Sequence, residues 1–261
     1  MHERNDVGHT TTLDIPYGPD SLQCLDIYAP EGASRAPFVL FVHGGGWAVG
    51  DKSQYAAVGV SLARAGFVVA IVNYRLSPPA QHPAHTEDVA RAVAWCYRQA
   101  PYHGADPERF YAIGHSSGAH LAALVALDPS YLAAEGLESS VIRRLVGIAG
   151  VGYDLNESYA SPLITPFLEP VFGSDSSRWA QAAPLRHVTS AAPASLLIHG
   201  LSDTVAPPAS TEVFASSLQE AGVPAKLALL PGENHLSVMF AAEPLILDFL
   251  EATEPARASA G

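Results

Sequence analysis

The stretch Phe110-Tyr-Ala-Ile-Gly-His-Ser-Ser-Gly-Ala-His-Leu-Ala-Ala-Leu-Val-Ala-Leu127 decides the fold of this chain. Its first four residues are a short apolar run typical of a buried strand, and the segment from Ala119 onward is rich in Ala and Leu, which predicts a buried helix. Between them, 114–118 has the sequence Gly-His-Ser-Ser-Gly and fits the G-x-S-x-G nucleophile elbow. Because so short a turn brings neighbouring backbones together, a Cβ at either glycine would collide. We expect Ser116 at the apex, strained, beyond the carboxyl edge of the sheet and before the positive end of a helix.

Composition and charge narrow the class of protein. At 261 residues, with 48% hydrophobic and 15% charged residues, the chain predicts one compact globular domain with a large core. The net charge of −12 argues against nucleic acid or an anionic membrane surface as a partner, because both require a basic face. The oligomeric state cannot be read from these numbers.

Cysteine usage and the ends of the chain bear on location. Cys24 and Cys96 lie far apart in different predicted elements, so we expect two thiols rather than a disulfide framework or a metal site. The polar N-terminus shows no secretory signal, and no apolar run approaches the length of a membrane span. A cytoplasmic location is therefore the favoured interpretation.

The order of apolar runs and helical patterns predicts an α/β fold. Strands over 10–16 and 22–28, with a turn at 18–21, predict an antiparallel hairpin at the start. The later predicted strands are 38–42, 67–72, 110–113, 145–149, 195–199 and 226–230, and the predicted helices are 53–65, 86–99, the one from Ala119, 209–221 and 244–252. This alternation predicts a single domain, 1–261, with a mostly parallel eight-stranded sheet and helices on both faces. Ligands in such sheets bind beyond the carboxyl ends of the strands.

The segment 151–190 interrupts the regular alternation. It is rich in Pro, Ser and aromatic residues, namely Tyr153, Tyr159, Phe167, Phe172 and Trp179. Long excursions in compact domains are usually lids or partly helical insertions, so this segment is a candidate lid or small cap. The alternative is a structural excursion that covers one edge of the sheet.

The elbow alone is weak evidence, because a serine is a poor nucleophile without a base, an orienting acid and an oxyanion hole. The chain has eleven histidines, and we select among them by their position relative to the predicted strands. His235 lies in the loop directly after the strand 226–230, where its ring would reach over the carboxyl edge of the sheet. His199 ends a strand, and we expect it in the core rather than as a free base. The sequence therefore predicts His235 as the general base.

The orienting acid is expected between nucleophile and base if the chain order is Ser, Asp, His. Asp203 lies just past the carboxyl end of the strand 195–199, where it would accept the imidazole Nδ1–H and stabilise the imidazolium. Its structural alternative is an aspartate that caps a turn. The rival acids lie in the insertion, on a helix and next to the base: Asp175, Glu212 and Glu233. The predicted catalytic residues are thus Ser116, Asp203 and His235.

The segment His43-Gly-Gly-Gly-Trp47 follows the apolar strand 38–42 and predicts an oxyanion hole, because three glycines let the backbone approach a substrate carbonyl. The predicted donors are the backbone N–H groups of Gly45, Gly46 and Ser117. A phosphate loop is the alternative, but the chain has neither G-x-x-x-x-G-K-[ST] nor G-x-G-x-x-G with its later acid. We expect His43 to hydrogen-bond this loop and Trp47 to pack beneath it.

These four features occur in one order along the chain: HGGGW at 43–47, GHSSG at 114–118, the Asp203 loop and His235. Together they resemble the α/β-hydrolase superfamily of esterases and lipases, over nearly the whole chain from Phe38 onward. Two groups within it are similar. Hormone-sensitive-lipase-like carboxylesterases carry HGGG, and kynurenine formamidases and related small esterases carry HGGxW.

Two departures favour the formamidase and small-esterase group. His115 and Ser117 stand where the lipase-like enzymes usually have Asp and Ala. Those lipases also carry a substantial N-terminal cap, whereas about 37 residues precede the first core strand here. Any cap function would then fall to 151–190.

The residues and the resemblance lead to one expected activity and two alternatives. We expect a serine carboxylesterase that hydrolyses short-chain acyl esters through an acyl-enzyme, with no metal and no organic cofactor. The alternatives are an arylformamidase acting on N-formyl-kynurenine-type amides, and a non-catalytic binding protein on the same fold. The expected pocket residues are Trp47, Tyr74, Leu76, Phe167, Trp179 and Leu236. The missing large cap predicts an open site for small acyl groups.

Overall fold

The computed structural model describes residues 8–155 and 162–252, apart from the side chain of Arg178. Tyr159, one of the aromatic residues noted in the insertion, lies outside the described residues.

One eight-stranded sheet runs through the protein. The strands are β1 (His9–Pro16), β2 (Cys24–Pro30), β3 (Ala36–Val42), β4 (Val68–Val72), β5 (Ala105–His115), β6 (Ile142–Ile148), β7 (Ala194–Gly200) and β8 (Ala225–Leu230). They lie in the order β1-β2-β4-β3-β5-β6-β7-β8. The β1–β2 and β2–β4 pairs are antiparallel and all other pairs are parallel. The predicted α/β fold, with a mostly parallel sheet of eight strands, is confirmed.

Eight α-helices follow the strands in the described residues. They are α1 (Ala56–Arg64), α2 (Ala84–Gln99), α3 (Ser117–Leu127), α4 (Pro129–Ala134), α5 (Thr165–Phe172), α6 (Ala209–Glu220), α7 (Val238–Ala241) and α8 (Glu243–Glu251). The helix predicted over 53–65 begins instead with a 3₁₀ turn, Lys52–Tyr55. Asp51 caps this turn by accepting the Ser53 N–H at 2.8 Å, and the turn sets the position of the Tyr55 phenol.

Alternate residues of the central strands belong to two separate hydrophobic cores, one on each face of the sheet. Phe38 and Leu40 of β3 pack with residues of α2, α3 and α6. Val39 and Phe41 pack on the other face with residues of α1, α7 and α8. Because helices cover both faces, a strand such as β3 has to be apolar throughout rather than alternating. This sheet fixes the edge at which the candidate site lies.

The insertion is largely helical over 165–187, where it packs onto the domain. It comprises α5 and two 3₁₀ turns, Ser176–Ala182 and Pro184–His187. Leu168 and Val171 of α5 are buried, and the Phe172 ring lies 5.1 Å from that of Trp47. The segment therefore covers the HGGGW loop; that it is a mobile lid stays a prediction.

Three sequence expectations concern the chemistry of side chains and the membrane. Cys24 and Cys96 are free thiols. Within residues 8–155 and 162–252, no group of three or more His, Cys, Asp or Glu side chains is arranged to hold a metal ion. No helix in those same ranges is both long and apolar enough to cross a bilayer.

Candidate active site

The turn between β5 and α3 has the strained geometry that the elbow sequence predicts. Ser116 adopts φ 54° and ψ −122°, a conformation that costs about 1–3 kcal/mol for a residue with a side chain. A Cβ on Gly114 would lie 2.3 Å from the carbonyl oxygen of Gly118, and one on Gly118 would lie 2.2 Å from that of Val42. Only glycine fits at either place, so the sequence at 114–118 follows from the close approach of β3, β5 and α3.

Three side chains from distant loops meet at this turn. Ser116 Oγ lies 3.0 Å from His235 Nε2, and His235 Nδ1 lies 2.7 Å from Asp203 Oδ2. The three residues are nearly buried, with exposed fractions of 3%, 9% and 6% for Ser116, His235 and Asp203. Because a carboxylate can only accept, Nδ1 carries the ring proton, and the Nε2 lone pair faces the serine hydroxyl.

The Asp203 carboxylate divides its two oxygens between two tasks. Oδ1 accepts the backbone N–H groups of Val205 and Ala206 at 2.9 and 2.8 Å, which is the turn-capping role. Oδ2 faces His235 and also His199 Nε2, 3.1 Å away. Burial by itself would raise the pKa of Asp203, but the hydrogen bonds from both imidazoles and from the Ala206 N–H outweigh it and hold the pKa well below its usual range. The group is therefore a carboxylate at neutral pH.

The HGGGW loop presents backbone donors beside Ser116. Gly45 and Gly46 adopt φ of 127° and 60°, and a Cβ on Gly45 would lie 2.0 Å from the carbonyl oxygen of Val49. Among the described residues, no acceptor is bonded to the N–H groups of Gly45, Gly46 or Ser117. Ser117 opens α3, where N–H groups lack helical partners and the helix dipole is positive. That these three N–H groups form an oxyanion hole stays a prediction.

His43 and Trp47 hold this loop from below, as the sequence predicted. His43 Nδ1–H donates to the carbonyl of Gly44 at 2.7 Å. Trp47 is fully buried, and its Nε1–H donates to His120 Nδ1 at 3.2 Å. His120 in turn donates from Nε2 to the carbonyl of Ala182 at 2.8 Å, which ties the loop to the insertion. Burial lowers the pKa of His120 to about 3, so this ring is a neutral connector.

An open cleft of about 380 Å³ lies over Ser116 and His235. Its outer wall is apolar and consists of Val49, Leu163, Ile164, Phe167, Val205 and Leu236. Phe167 also lies against the HGGGW loop, called the oxyanion loop below after its predicted role, because a Cβ on Gly46 would lie 3.2 Å from its ring. Of the six residues expected to form the pocket, Phe167 and Leu236 line this cleft.

The other four expected pocket residues do not line it, and the prediction is corrected for them. Trp47 and Tyr74 are fully buried beneath the loop, where the Tyr74 hydroxyl donates to the carbonyl of His43 at 3.1 Å. Leu76 packs against the core on the same face. Trp179 lines a separate cavity, together with Phe172 of α5. These residues were expected in the pocket because they lie near a site loop in the sequence, but that nearness does not determine the direction of a side chain.

Two buried histidines beside the elbow, His115 and His120, and the phenol of Tyr55 were not predicted as site residues. His115 directly precedes Ser116 and His120 lies one helical turn after it, so both are brought to the elbow by local geometry. That adjacency is the signal in the sequence that would have singled them out.

Comparison with known proteins agrees with this geometry. The BD-FAE family matches residues 25–218. Esterase LipQ of Mycobacterium tuberculosis is 35% identical over 239 residues, which cover 86% of this chain and 56% of that protein. A probable isoprenylcysteine alpha-carbonyl methylesterase of Oryza sativa subsp. japonica, ICMEL1, is 32% identical over 250 residues, covering 88% of this chain and 58% of that protein. The chain thus belongs to the BD-FAE family, within the α/β hydrolases.

Solved structures show the same fold. A truncated form of a carbohydrate esterase from gut microbiota has a TM-score of 0.82 at 22% identity, and the match covers 94% of this chain and 96% of that one. The chain spans just over half the length of the curated relatives it matches.

Proposed function

We propose that this chain is a serine carboxylesterase that hydrolyses short-chain acyl esters through an acyl-enzyme. The observation that carries the proposal is the line of contacts from Ser116 Oγ through His235 to Asp203, at 3.0 and 2.7 Å. The names of the similar proteins, which include esterases and a probable methylesterase, support an ester as the substrate class.

In the acylation step, Ser116 Oγ attacks the ester carbonyl carbon while His235 Nε2 takes the hydroxyl proton. The charge that develops on the carbonyl oxygen would be received by the N–H groups of Gly45, Gly46 and Ser117, each such donor being worth roughly 3–4 kcal/mol in the transition state. His235 then gives its proton to the leaving alcohol, and the C–O bond to that alcohol breaks. Asp203, held as a carboxylate, stabilises the imidazolium throughout.

In the deacylation step, water takes the place of the alcohol. His235 removes one proton from it, the hydroxyl oxygen attacks the acyl carbon, and the Ser116 oxygen leaves with the proton that His235 returns. Atoms and charge balance over the cycle without a further reactant. The carboxylic acid product and the free serine complete the turnover.

The shape of the cleft supports small, apolar acyl groups. The cleft is open, about 380 Å³ in volume, and walled by aliphatic side chains and Phe167. Among the described residues, no Lys or Arg lines it, which disfavours a strongly anionic substrate. The cytoplasmic location stays a prediction from the sequence.

The test is replacement of the nucleophile. The change Ser116→Ala should lower turnover of p-nitrophenyl acetate by roughly 10⁴–10⁶-fold, by analogy with serine protease knockouts, and abolish labelling by a fluorophosphonate. Ser130→Ala, an exposed serine on α4, is the matched control and should retain both. Near-wild-type hydrolysis by a folded Ser116→Ala protein would remove the nucleophile assignment, and a wild-type protein that is never labelled would favour the non-catalytic alternative.

Rates of hydrolysis of p-nitrophenyl esters of increasing acyl length, compared with that of N-formyl-kynurenine, distinguish a carboxylesterase from an arylformamidase. We expect acetate and butyrate esters to be turned over faster than decanoate and faster than the formamide. A preference for the formamide would move the proposal to an arylformamidase.

A further inference from the structure

His115 lies between the two halves of the candidate site and contacts both. Its Nδ1 is 2.8 Å from the hydroxyl of Tyr55, and its Nε2 is 2.9 Å from the backbone carbonyl oxygen of His235. The Tyr55 hydroxyl is also 3.1 Å from the backbone nitrogen of Gly44. The contacts therefore form one unbroken series from the oxyanion loop to the residue that carries the base.

The chemistry of the end groups fixes the direction of every bond in this series. A carbonyl oxygen can only accept, so the Nε2 of His115 donates its hydrogen to His235. In a neutral imidazole the other nitrogen is then an acceptor, and the Tyr55 hydroxyl has to donate to Nδ1. The oxygen of that hydroxyl keeps its lone pairs for the Gly44 N–H. Each donor and each acceptor is used once, and no other assignment satisfies all four groups.

Burial keeps the series in this form. His115 is 2% exposed, and burial, with a smaller effect from His235, lowers its pKa to about 4. The ionisable groups that face the ring are the phenol of Tyr55, the imidazoles of His235 and His199, and the carboxylate of Asp203. The ring is therefore neutral at physiological pH, and protonation would place a second donor against the Tyr55 hydroxyl, which would have to turn away.

The series joins three separate segments of the chain. Gly44 belongs to the loop after β3, Tyr55 to the 3₁₀ turn before α1, and His235 to the loop after β8. The Gly44 N–H donates to the Tyr55 hydroxyl. This bond anchors the first glycine of the loop that contains Gly45 and Gly46. The bond to the His235 carbonyl anchors the backbone from which the base projects.

We propose that His115 is a positioning residue, which through Tyr55 holds the oxyanion loop and the base loop at a fixed separation across Ser116. This rests on the proposed function, because it assigns His115 a part in the same reaction. His115 does not touch the reacting atoms itself. It acts through the placement of the N–H donors on one side of the nucleophile and of His235 on the other.

The expected signature is in kcat rather than KM. The oxyanion donors and the base act on the transition state, whereas the ground-state ester is held by the apolar wall of the cleft. Displacing the two loops by a fraction of an ångström therefore lowers kcat and kcat/KM together and leaves KM unchanged.

Tyr55→Phe is the sharpest variant, because it removes one hydroxyl and keeps the ring. The change removes the bond to His115 Nδ1 and the acceptor of the Gly44 N–H. It should lower kcat for p-nitrophenyl acetate by roughly 3- to 10-fold, an effect of about 1 kcal/mol. In His115→Gln the amide nitrogen can donate toward the His235 carbonyl, but the amide oxygen cannot then reach the place of Nδ1. This variant should cost a similar factor. Because both changes break the same link, the double variant should lose no more than the worse single variant.

His103→Gln is the matched control, since His103 precedes β5 and lies at the opposite end of that strand from the site. It should keep the wild-type kcat. The proposal is overturned if folded Tyr55→Phe protein stays within twofold of wild-type kcat, or if the two losses multiply in the double variant. Turnover that falls through a raised KM alone would also overturn it.

A second measurement tests the series without any turnover. The measurement is the NMR spectrum of ¹⁵N-histidine-labelled protein. The signal that is lost in the His115→Gln variant belongs to His115. In the wild type, this signal should show the neutral tautomer with hydrogen on Nε2 from pH 5 to 8. Hydrogen on Nδ1, or an imidazolium at pH 6, would overturn the proposal whether or not the protein hydrolyses esters. An inactive wild-type protein with the expected tautomer would instead count against the proposed function alone.

Discussion

Replacing Asp203 by asparagine should invert the tautomer of the base. The two backbone N–H groups of Val205 and Ala206, at 2.9 and 2.8 Å from Oδ1, require an oxygen at that place. Turning the amide round would leave both N–H groups facing an NH₂ group, at about 1–3 kcal/mol for each. The amide nitrogen of the variant would therefore occupy the place of Oδ2 and donate to His235 Nδ1, which must then accept. The ring hydrogen moves to Nε2, where it points at Ser116 and cannot take up the serine proton.

The size of the effect follows from the lost charge as well. At 2.7 Å and an effective dielectric constant of about 20, the carboxylate stabilises the imidazolium by roughly 6 kcal/mol. That corresponds to roughly 10⁴ in rate, and the same substitution in a serine protease triad lowers kcat by about 10⁴ through the wrong tautomer. We therefore expect Asp203→Asn to lose roughly four orders of magnitude in kcat.

The assay is turnover of p-nitrophenyl acetate between pH 6 and 10, together with thermal unfolding. Asp128→Asn is the matched control, because Asp128 caps α4 by accepting the Ser130 N–H at 3.0 Å and asparagine is an equally good cap. It should keep full activity. An Asp203→Asn protein that unfolds at the wild-type temperature and stays within tenfold of wild-type kcat would refute this reasoning.

Two further predictions concern the residues around the oxyanion loop. Burial lowers the pKa of His120 to about 3 in the folded protein, whereas an unfolded histidine has a pKa of about 6.5. Between these two pH values only the unfolded chain binds this proton, so stability is lost as the pH falls through the window. In urea unfolding, His120→Gln should reduce the slope of the unfolding free energy near pH 5 by about 1.4 kcal/mol per pH unit, and an unchanged slope would show that this ring takes up no proton on unfolding. Phe167→Ala removes part of the cleft wall and should raise KM for p-nitrophenyl butyrate several-fold at nearly constant kcat. An equal fall in kcat and kcat/KM would mean that Phe167 positions the oxyanion loop rather than the substrate.

Much of the fold follows from local sequence. Strands such as β3 are recognisable because both faces are covered, and that requirement leaves a continuous apolar run. The sequence predicts α1, α2, α3, α6 and α8, with ends that differ by a few residues from those observed. The short helices α4 and α7 were not predicted. The 3₁₀ turn Lys52–Tyr55 escaped prediction because a distant side chain helps to hold it. Asn73 donates to Asp51 Oδ2 at 2.7 Å and accepts the Lys52 N–H at 2.6 Å.

The candidate triad was accessible to sequence because chain order and strand ends constrain it. Ser116 is marked by glycines that a close backbone approach requires, and Asp203 and His235 each follow a parallel strand whose carboxyl end faces the same edge of the sheet. The structure brings their side chains within hydrogen-bonding distance. Their catalytic roles stay predictions until the variants are measured.

The sequence alone determined the features that depend on short-range geometry, namely the elbow, the glycine loop and the alternation of strands and helices. Tertiary structure decided the rest. Trp47 turns into the core rather than the cleft, and Tyr55, His115 and the carbonyl of His235 meet across 60 and 120 residues of chain. Side-chain direction and long-range hydrogen bonds depend on how loops from separate strands pack over one another, and no local pattern of residues encodes that packing.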